Sequence, residues 1–204
     1  MSDAETPIEP FFLHEMPGPQ VTAKDIVRAL VKGGVPISTA SARVQNYAKN
    51  RLIHTREKKS AAVNSPNIYS VFDVFAAKVL SALHDVGIAD PDVLFKASVA
   101  LYMWNLGHFP DGRVPENFTA SPIVHAVAGV FAGQDWVFRL DFWRNPQTEA
   151  RYVNAFLAGG PLPPAQRWKD YTPDFEPLAS VVVMLEPHFL PLRYLVAPPA
   201  KGAH

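Results

Sequence analysis

Cysteine is absent from this sequence of 204 residues. Without thiols the chain cannot form a disulfide framework, a thiolate zinc site or a dithiol redox motif. Long apolar runs are missing as well, since none approaches the roughly 20 residues that a membrane-spanning helix requires. The first 20 residues are acidic and proline-rich and lack the basic and apolar regions of a signal peptide. We therefore expect a cytoplasmic protein with no membrane partner.

The sequence motifs that mark common active sites are also lacking. Its histidines show no HxH, HExxH or ExxH spacing, which would place two metal ligands on one helical face. There is no G-x-S-x-G motif, no P-loop and no dinucleotide-binding glycine pattern. We predict no catalytic residues, no metal and no cofactor, and we expect that the protein is not an enzyme.

Charge is unevenly distributed, although the formal net charge of the chain is zero. Residues 21–69 contain nine basic and two acidic side chains, a basic surplus of seven. The remainder must therefore carry an equal acidic surplus. Such a split is typical of a nucleic-acid-binding module joined to another unit. A basic face that is merely solvated is the alternative.

Local signals in the basic stretch predict two helices separated by a turn. Thr22 followed by Asp25 predicts a capping box at the start of the first helix. Gly33-Gly34 is expected to end that helix. Ser38 or Thr39 is expected to cap the second one.

A hairpin and a third helix are predicted next. Residues 56–67 are polar, basic and rich in turn-forming residues, as the tip of a β-hairpin would be. Ile68 and Tyr69 would form the returning strand. Ser70 with Asp73 predicts a capped third helix with a strong apolar stripe, which ends at Gly87.

The second helix and the hairpin carry groups that suit contact with DNA. Glutamine and asparagine pair with adenine, arginine pairs with guanine, and arginine and lysine neutralise phosphates. The residues predicted to meet the major groove are Ser41, Arg43, Gln45, Asn46 and Lys49, and those predicted to meet phosphates are Arg51, Arg56, Lys58 and Lys59. An ordinary polar helix face is the alternative interpretation.

The segments RVQNYAKNRLIHTR and IYSVFDVFAAKVLSALHDVGI resemble the MerR-type winged helix-turn-helix family. The matching positions, which lie in about a third of the chain, are Val44, Tyr47, Leu52, Arg56, Tyr69, Asp73, Leu83 and Gly87. The resemblance implies a second helix in the major groove and a hairpin, the wing, on the phosphates. The sequence departs from the family at Gln45, where the family has arginine, and at Arg51, where it has glycine. The long heptad helix through which the family dimerises is missing.

The second half of the chain predicts a mixture of helices and strands. Helices are expected over Val93 to Leu106 and Ile123 to Phe131, and strands over Trp136 to Trp143 and Ala179 to Leu185. Glu149 to Leu157 fits either a helix or a strand. The first of these helices is apolar nearly all round, so we expect it to lie buried between two units.

Aromatic side chains are concentrated in this half. We expect them to form core, and a pocket among them would suit a small apolar effector. They are Trp104, Trp136, Phe138, Phe142, Trp143 and Tyr152.

Together these patterns predict an α+β protein, with an N-terminal winged helix-turn-helix followed by a smaller mixed helix/strand C-terminal domain. The expected division is a tail over 1–20, a DNA-binding domain over 21–90, a dimerisation or effector domain over 91–197 and a tail over 198–204. The predicted function is that of a homodimeric, sequence-specific, MerR-like transcriptional regulator that binds double-stranded DNA. The alternatives are a phage-like DNA-packaging or recombination accessory protein, of the small terminase or excisionase type, and a winged-helix module that binds a protein partner.

Overall fold

The computed structural model describes residues 19–58, 66–104, 120–159 and 174–196. Within these ranges the chain forms six α-helices and two three-stranded antiparallel sheets, which confirms the α+β class. The predicted tails lie outside the described residues, apart from residues 19 and 20 of the first. The hairpin tip with Lys59 also lies outside them. The helix predicted to reach Leu106 ends earlier, at Tyr102, because Met103 has an extended backbone.

The first half contains a small sheet and three helices. Its elements are β1 (Gln20–Thr22), α1 (Ala23–Lys32), α2 (Ile37–Lys49), β2 (Thr55–Lys58), β3 (Asn67–Ser70) and α3 (Val71–Asp85). The strand order is β1-β3-β2, so β3 is the central strand. β1 was not predicted, because three residues are too few to show the alternation of a strand.

The start of α1 was predicted correctly, and the start of α2 was not. At α1, the backbone N–H and the hydroxyl of Thr22 donate to Asp25 Oδ2 at 2.9 and 2.7 Å. α2 begins at Ile37, directly after Pro36. The proline ring holds φ at −55°, a value already suited to helix entry, so the helix starts one or two residues before the predicted serine or threonine cap.

α3 is the central helix of the protein. Ser70 caps it as predicted, with its Oγ accepting from Phe72 N–H at 3.2 Å. Thirteen of its 15 residues are buried, so it is enclosed on all sides and not amphipathic. The aromatic ring of Phe75 packs edge-on against those of Phe131 and Phe189, which both belong to the second half.

The second half wraps a three-stranded sheet and short helices around α3. Its elements are α4 (Pro91–Tyr102), α5 (Pro122–Phe131), β4 (Trp136–Arg144), β5 (Arg151–Gly159), β6 (Glu176–Met184) and α6 (Glu186–Phe189), followed by a 3-10 helix (Leu190–Leu195). The ambiguous segment is strand β5, which pairs with β4 over all nine of its residues. Trp136, Phe138 and Leu140 of β4 are buried, so the two aromatic residues among them are core as predicted.

The expectation that α4 lies buried between two units was wrong. Phe95 of α4 is 55% exposed, and Val99 is exposed as well. The shared helix is α3, because buried residues from Val21 to Leu192 form one continuous cluster around it. The predicted boundary at residue 90 falls in the loop between α3 and α4, without a break in the core. Among the helices of the described ranges, none has the length and apolar character to cross a membrane.

Four partly buried histidines should make the protein less stable in mild acid. Burial is the main cause that lowers their pKa. The charge of Arg43 lowers the pKa of His84 further, and the charge of Lys78 does the same for His188, while the charge of Asp85 raises both. The four histidines are His54, His84, His125 and His188. In the unfolded chain these histidines have ordinary pKa values and bind protons more readily than in the folded protein. Their contribution to stability is therefore complete above about pH 6.5 and is lost as the pH falls through their lowered pKa values in the folded protein.

Urea unfolding at about pH 7.5 and about pH 5.5 measures this effect, and we expect a lower midpoint at the acidic pH. Replacing His84 and His188 with glutamine should flatten the profile. Equal midpoints at both pH values in the native sequence would contradict the prediction.

Candidate nucleic-acid interface

A groove of about 360 Å³ runs between α1 and α2. Its apolar floor is rimmed by Lys24 and Arg28 of α1 and by Ser41 and Gln45 of α2. Arg28 is 78% exposed and forms an ion pair with Asp25 at 3.3 Å. Two of the residues predicted to contact DNA therefore lie beside two cations of the first helix.

The exposed face of α2 continues from the groove to the end of the helix. Gln45, Asn46 and Lys49 are all exposed, as predicted. Asn50, the residue directly after α2, donates from Nδ2 to Asn46 Oδ1, and this hydrogen bond fixes the orientation of the Asn46 amide. The amides and the ammonium group thus share one helix face and remain accessible to a ligand.

Arg51 ends α2 in a left-handed conformation, with φ of 56°. Its N–H donates to Ala48 O, and the N–H of Leu52 donates to Tyr47 O at 2.8 Å. This conformation is unfavourable for any residue with a Cβ atom, so glycine would be tolerated better than arginine at this position. The exposed Arg51 side chain extends the basic surface beyond the helix.

Arg43 does not lie on this face, and its predicted place in the major groove requires correction. Its guanidinium donates to Ser81 Oγ at 2.6 Å and to Ser81 O at 3.3 Å, and it forms an ion pair with Asp85 at 2.7 Å. The side chain is only 16% exposed. Arg43 therefore joins α2 to the C-terminal end of α3, where a cation also interacts favourably with the helix dipole.

Arg56 is only partly exposed, and one nitrogen of its guanidinium group is turned toward the protein interior, so its predicted contact with phosphate stays a prediction. The register of β2 against β3 shifts at this residue, as in a β-bulge, and a bulge redirects the side chain. Its Nη2 is buried and has no hydrogen-bond partner among the described residues. Burial raises the pKa of the nearby Asp73 carboxyl group, and the charge of Arg56 acts in the opposite direction.

The two hairpin lysines lie at the end of the described part of β2 and just beyond it. Lys58 is the last residue of β2, and its backbone pairs with Asn67, while its side chain lies outside the described residues. Lys59 lies wholly outside them. The wing contact predicted for these residues stays a prediction.

Lys24 and Arg28 were missing from the predicted set. Both belong to the basic surplus of residues 21–69, so their charge was visible in the sequence. Their position on the rim of the groove depends on how α1 packs against α2, which the charge count alone does not reveal.

A buried carboxylate fixes the connection from α2 to the hairpin. Asp73 accepts hydrogen bonds from Ser70 N–H at 2.8 Å, from His54 N–H at 3.0 Å and from the hydroxyl of Tyr102. Burial raises the pKa of Asp73, and these hydrogen bonds act in the opposite direction. Ser98 Oγ of α4 also donates to Leu52 O at 2.8 Å. The second half of the chain thus helps to hold the α2–β2 connection in place.

The described ranges contain no group of three or more histidine and acidic side chains that could hold a metal ion. The site therefore offers amides and cations, a set suited to binding a polyanion by hydrogen bonds and charge. No family model matches this sequence, and neither the curated proteins nor the solved structures include a match.

Proposed function

We propose that this chain is a cytoplasmic, sequence-specific DNA-binding regulator that uses α1 and α2 as a helix-turn-helix and the β2–β3 hairpin as a wing. The observation that carries the proposal is the shared accessible face of α1 and α2. Gln45, Asn46 and Lys49 would meet base edges, while Lys24, Arg28 and Arg51 would meet phosphates. Because specific sites are usually read by paired modules, we also propose a homodimer.

The chemistry of this face favours DNA over an uncharged ligand. Glutamine and asparagine side chains offer a donor and an acceptor together, which matches the major-groove edge of adenine. Asp25 is the acidic residue closest in sequence to the rim cations, and it is already paired with Arg28. The cations of the face therefore keep a surplus positive charge for phosphates.

Salt-dependent DNA binding tests the proposal. The variant Lys24→Ala/Arg28→Ala/Lys49→Ala should bind every sequence more weakly, and its log-affinity should fall less steeply with log salt. Each lost phosphate contact reduces the slope by about 0.9, so the loss of the Lys24 and Arg28 contacts should reduce it by about 1.8. Fluorescence anisotropy with duplexes selected from random DNA, at four salt concentrations, measures both quantities.

A matched control is Lys96→Ala/Arg151→Ala/Arg193→Ala, which removes the same charge from exposed positions on α4, β5 and the 3-10 helix. Its log-affinity should fall with log salt almost as steeply as that of the native protein, with only a small change from the lower net charge. If both triple variants lose affinity equally, the face between α1 and α2 is not the binding surface. If the native protein retards no DNA, the role is contact with a protein partner instead. Light scattering tests the dimer, since a larger ring would indicate an assembly protein.

A further inference from the structure

A second, smaller cavity of about 180 Å³ lies at the other end of α1. Lys78 of α3 lines it and is 8% exposed, so more than nine-tenths of this lysine is buried. Its Nζ lies against Gly33, where a side chain would collide with it. None of the described residues accepts a hydrogen bond from Lys78 or forms an ion pair with it. The side chain of Lys78 is thus largely desolvated, while its ammonium group still reaches the cavity, and an anion in the cavity would stabilise that charge.

Two further basic residues line the same cavity. Lys32, the last residue of α1, is exposed and holds its Nζ 4.5 Å from the centre of the Tyr194 ring. His188 of α6 is partly buried, and the charge of Lys78 helps to lower its pKa, after burial as the main cause. Asp85 is the acidic group that acts on both Lys78 and His188, but it already pairs with Arg43. The cavity therefore has an excess of positive charge.

We propose that this cavity binds a small oxyanion of the size of inorganic phosphate, with Lys78 as its principal partner and Lys32 and His188 beside it. A cavity of about 180 Å³ has room for several water molecules. That is enough for phosphate with some of its hydration, whereas pockets for larger organic ligands usually begin at about 300 Å³.

The position of the cavity assigns a role to the bound anion. Its lining comes from α1, α3 and the segment Pro187 to Leu192, which are distant in sequence. An anion bound there would join the C-terminal segment to the end of the first helix. The site is separate from the groove rimmed by Lys24 and Arg28, so it does not depend on the proposed DNA binding.

Thermal unfolding and calorimetric titration with inorganic phosphate test this site, with chloride at the same ionic strength as the reference. The native protein should bind phosphate saturably. Its midpoint should rise by roughly 3–6 °C at a phosphate concentration ten times the dissociation constant. Lys78→Met should abolish this response and should unfold at a higher temperature in chloride, because a buried, unpaired charge is replaced by an apolar side chain of similar size.

Four further variants separate this site from general effects of charge. Lys32→Ala and His188→Gln each keep Lys78 and should weaken phosphate binding severalfold. Lys96→Met, an exposed lysine on α4, should leave it unchanged, as should Lys24→Ala/Arg28→Ala/Lys49→Ala. The proposal is overturned if the native protein shows no response beyond that to chloride, or if Lys78→Met keeps the response. If Lys78→Met does not fold, unchanged binding in both Lys32→Ala and His188→Gln overturns it.

Discussion

Replacing Asp73 with alanine should lower the free energy of unfolding by about 3–5 kcal/mol. The carboxylate is 1% exposed and accepts three hydrogen bonds, from Ser70, His54 and Tyr102. Its removal leaves three donors unsatisfied, two of them backbone groups, and each unsatisfied buried group is worth about 1–3 kcal/mol. It also removes the counter-charge of Arg56 and the N3 member of the capping box at the start of α3, while the Ser70 cap remains. Urea unfolding followed by circular dichroism measures the change.

Asp25 provides a matched control for Asp73. It occupies the same position in the capping box of α1, but its side chain is 36% exposed, so water can replace the lost acceptor. Asp25→Ala should therefore reduce stability by only about 1 kcal/mol. Equal losses in the two variants would show that the buried contacts of Asp73 add nothing to its role as a helix cap.

Replacing Arg43 with alanine should lower stability by about 2 kcal/mol without changing DNA affinity per folded molecule. Both hydrogen bonds to Ser81 come from one guanidinium nitrogen, so we expect the two together to contribute what one hydrogen bond to a charged group does, about 1.5–3 kcal/mol. Its ion pair with Asp85 adds less, because the Asp85 side chain is 56% exposed and solvent screens the pair. Urea unfolding and anisotropy well below the unfolding transition measure the two quantities separately.

Asp85→Ala isolates the ion pair, and we expect it to reduce stability by less than about 1 kcal/mol. One result for Arg43→Ala would support the sequence-based prediction that Arg43 lies in the major groove. If the variant kept its stability and lost affinity only for its preferred sequence, Arg43 would belong to the base-reading face.

The sequence was most informative where a local interaction decides the structure. The partners in the capping boxes Thr22–Asp25 and Ser70–Asp73 are three positions apart, so they could be identified from spacing alone. At the start of α2, a proline and a possible serine or threonine cap compete. The fixed φ of Pro36 decides the outcome, and the helix begins there without a side-chain cap.

The orientations of the two arginines could not be derived in this way. Arg43 lies at the border between the buried and exposed faces of α2, and its partner Asp85 is 42 positions further along the chain. Helical periodicity identifies a face but not what packs against it. Arg56 was assigned from a regular hairpin, and the register shift at that residue changes which side of the strand it occupies.

The enclosure of α3 determines which pieces of this protein can be studied separately. The ring of Phe75 has its neighbours in Phe131 and Phe189, so a fragment that stops near residue 90 would leave this ring and much of the surrounding helix uncovered. Uncovered apolar surface of that kind promotes aggregation. A fragment made to test the proposed DNA binding must therefore include the residues that cover α3, because a shorter fragment could fail to bind through loss of its core packing alone.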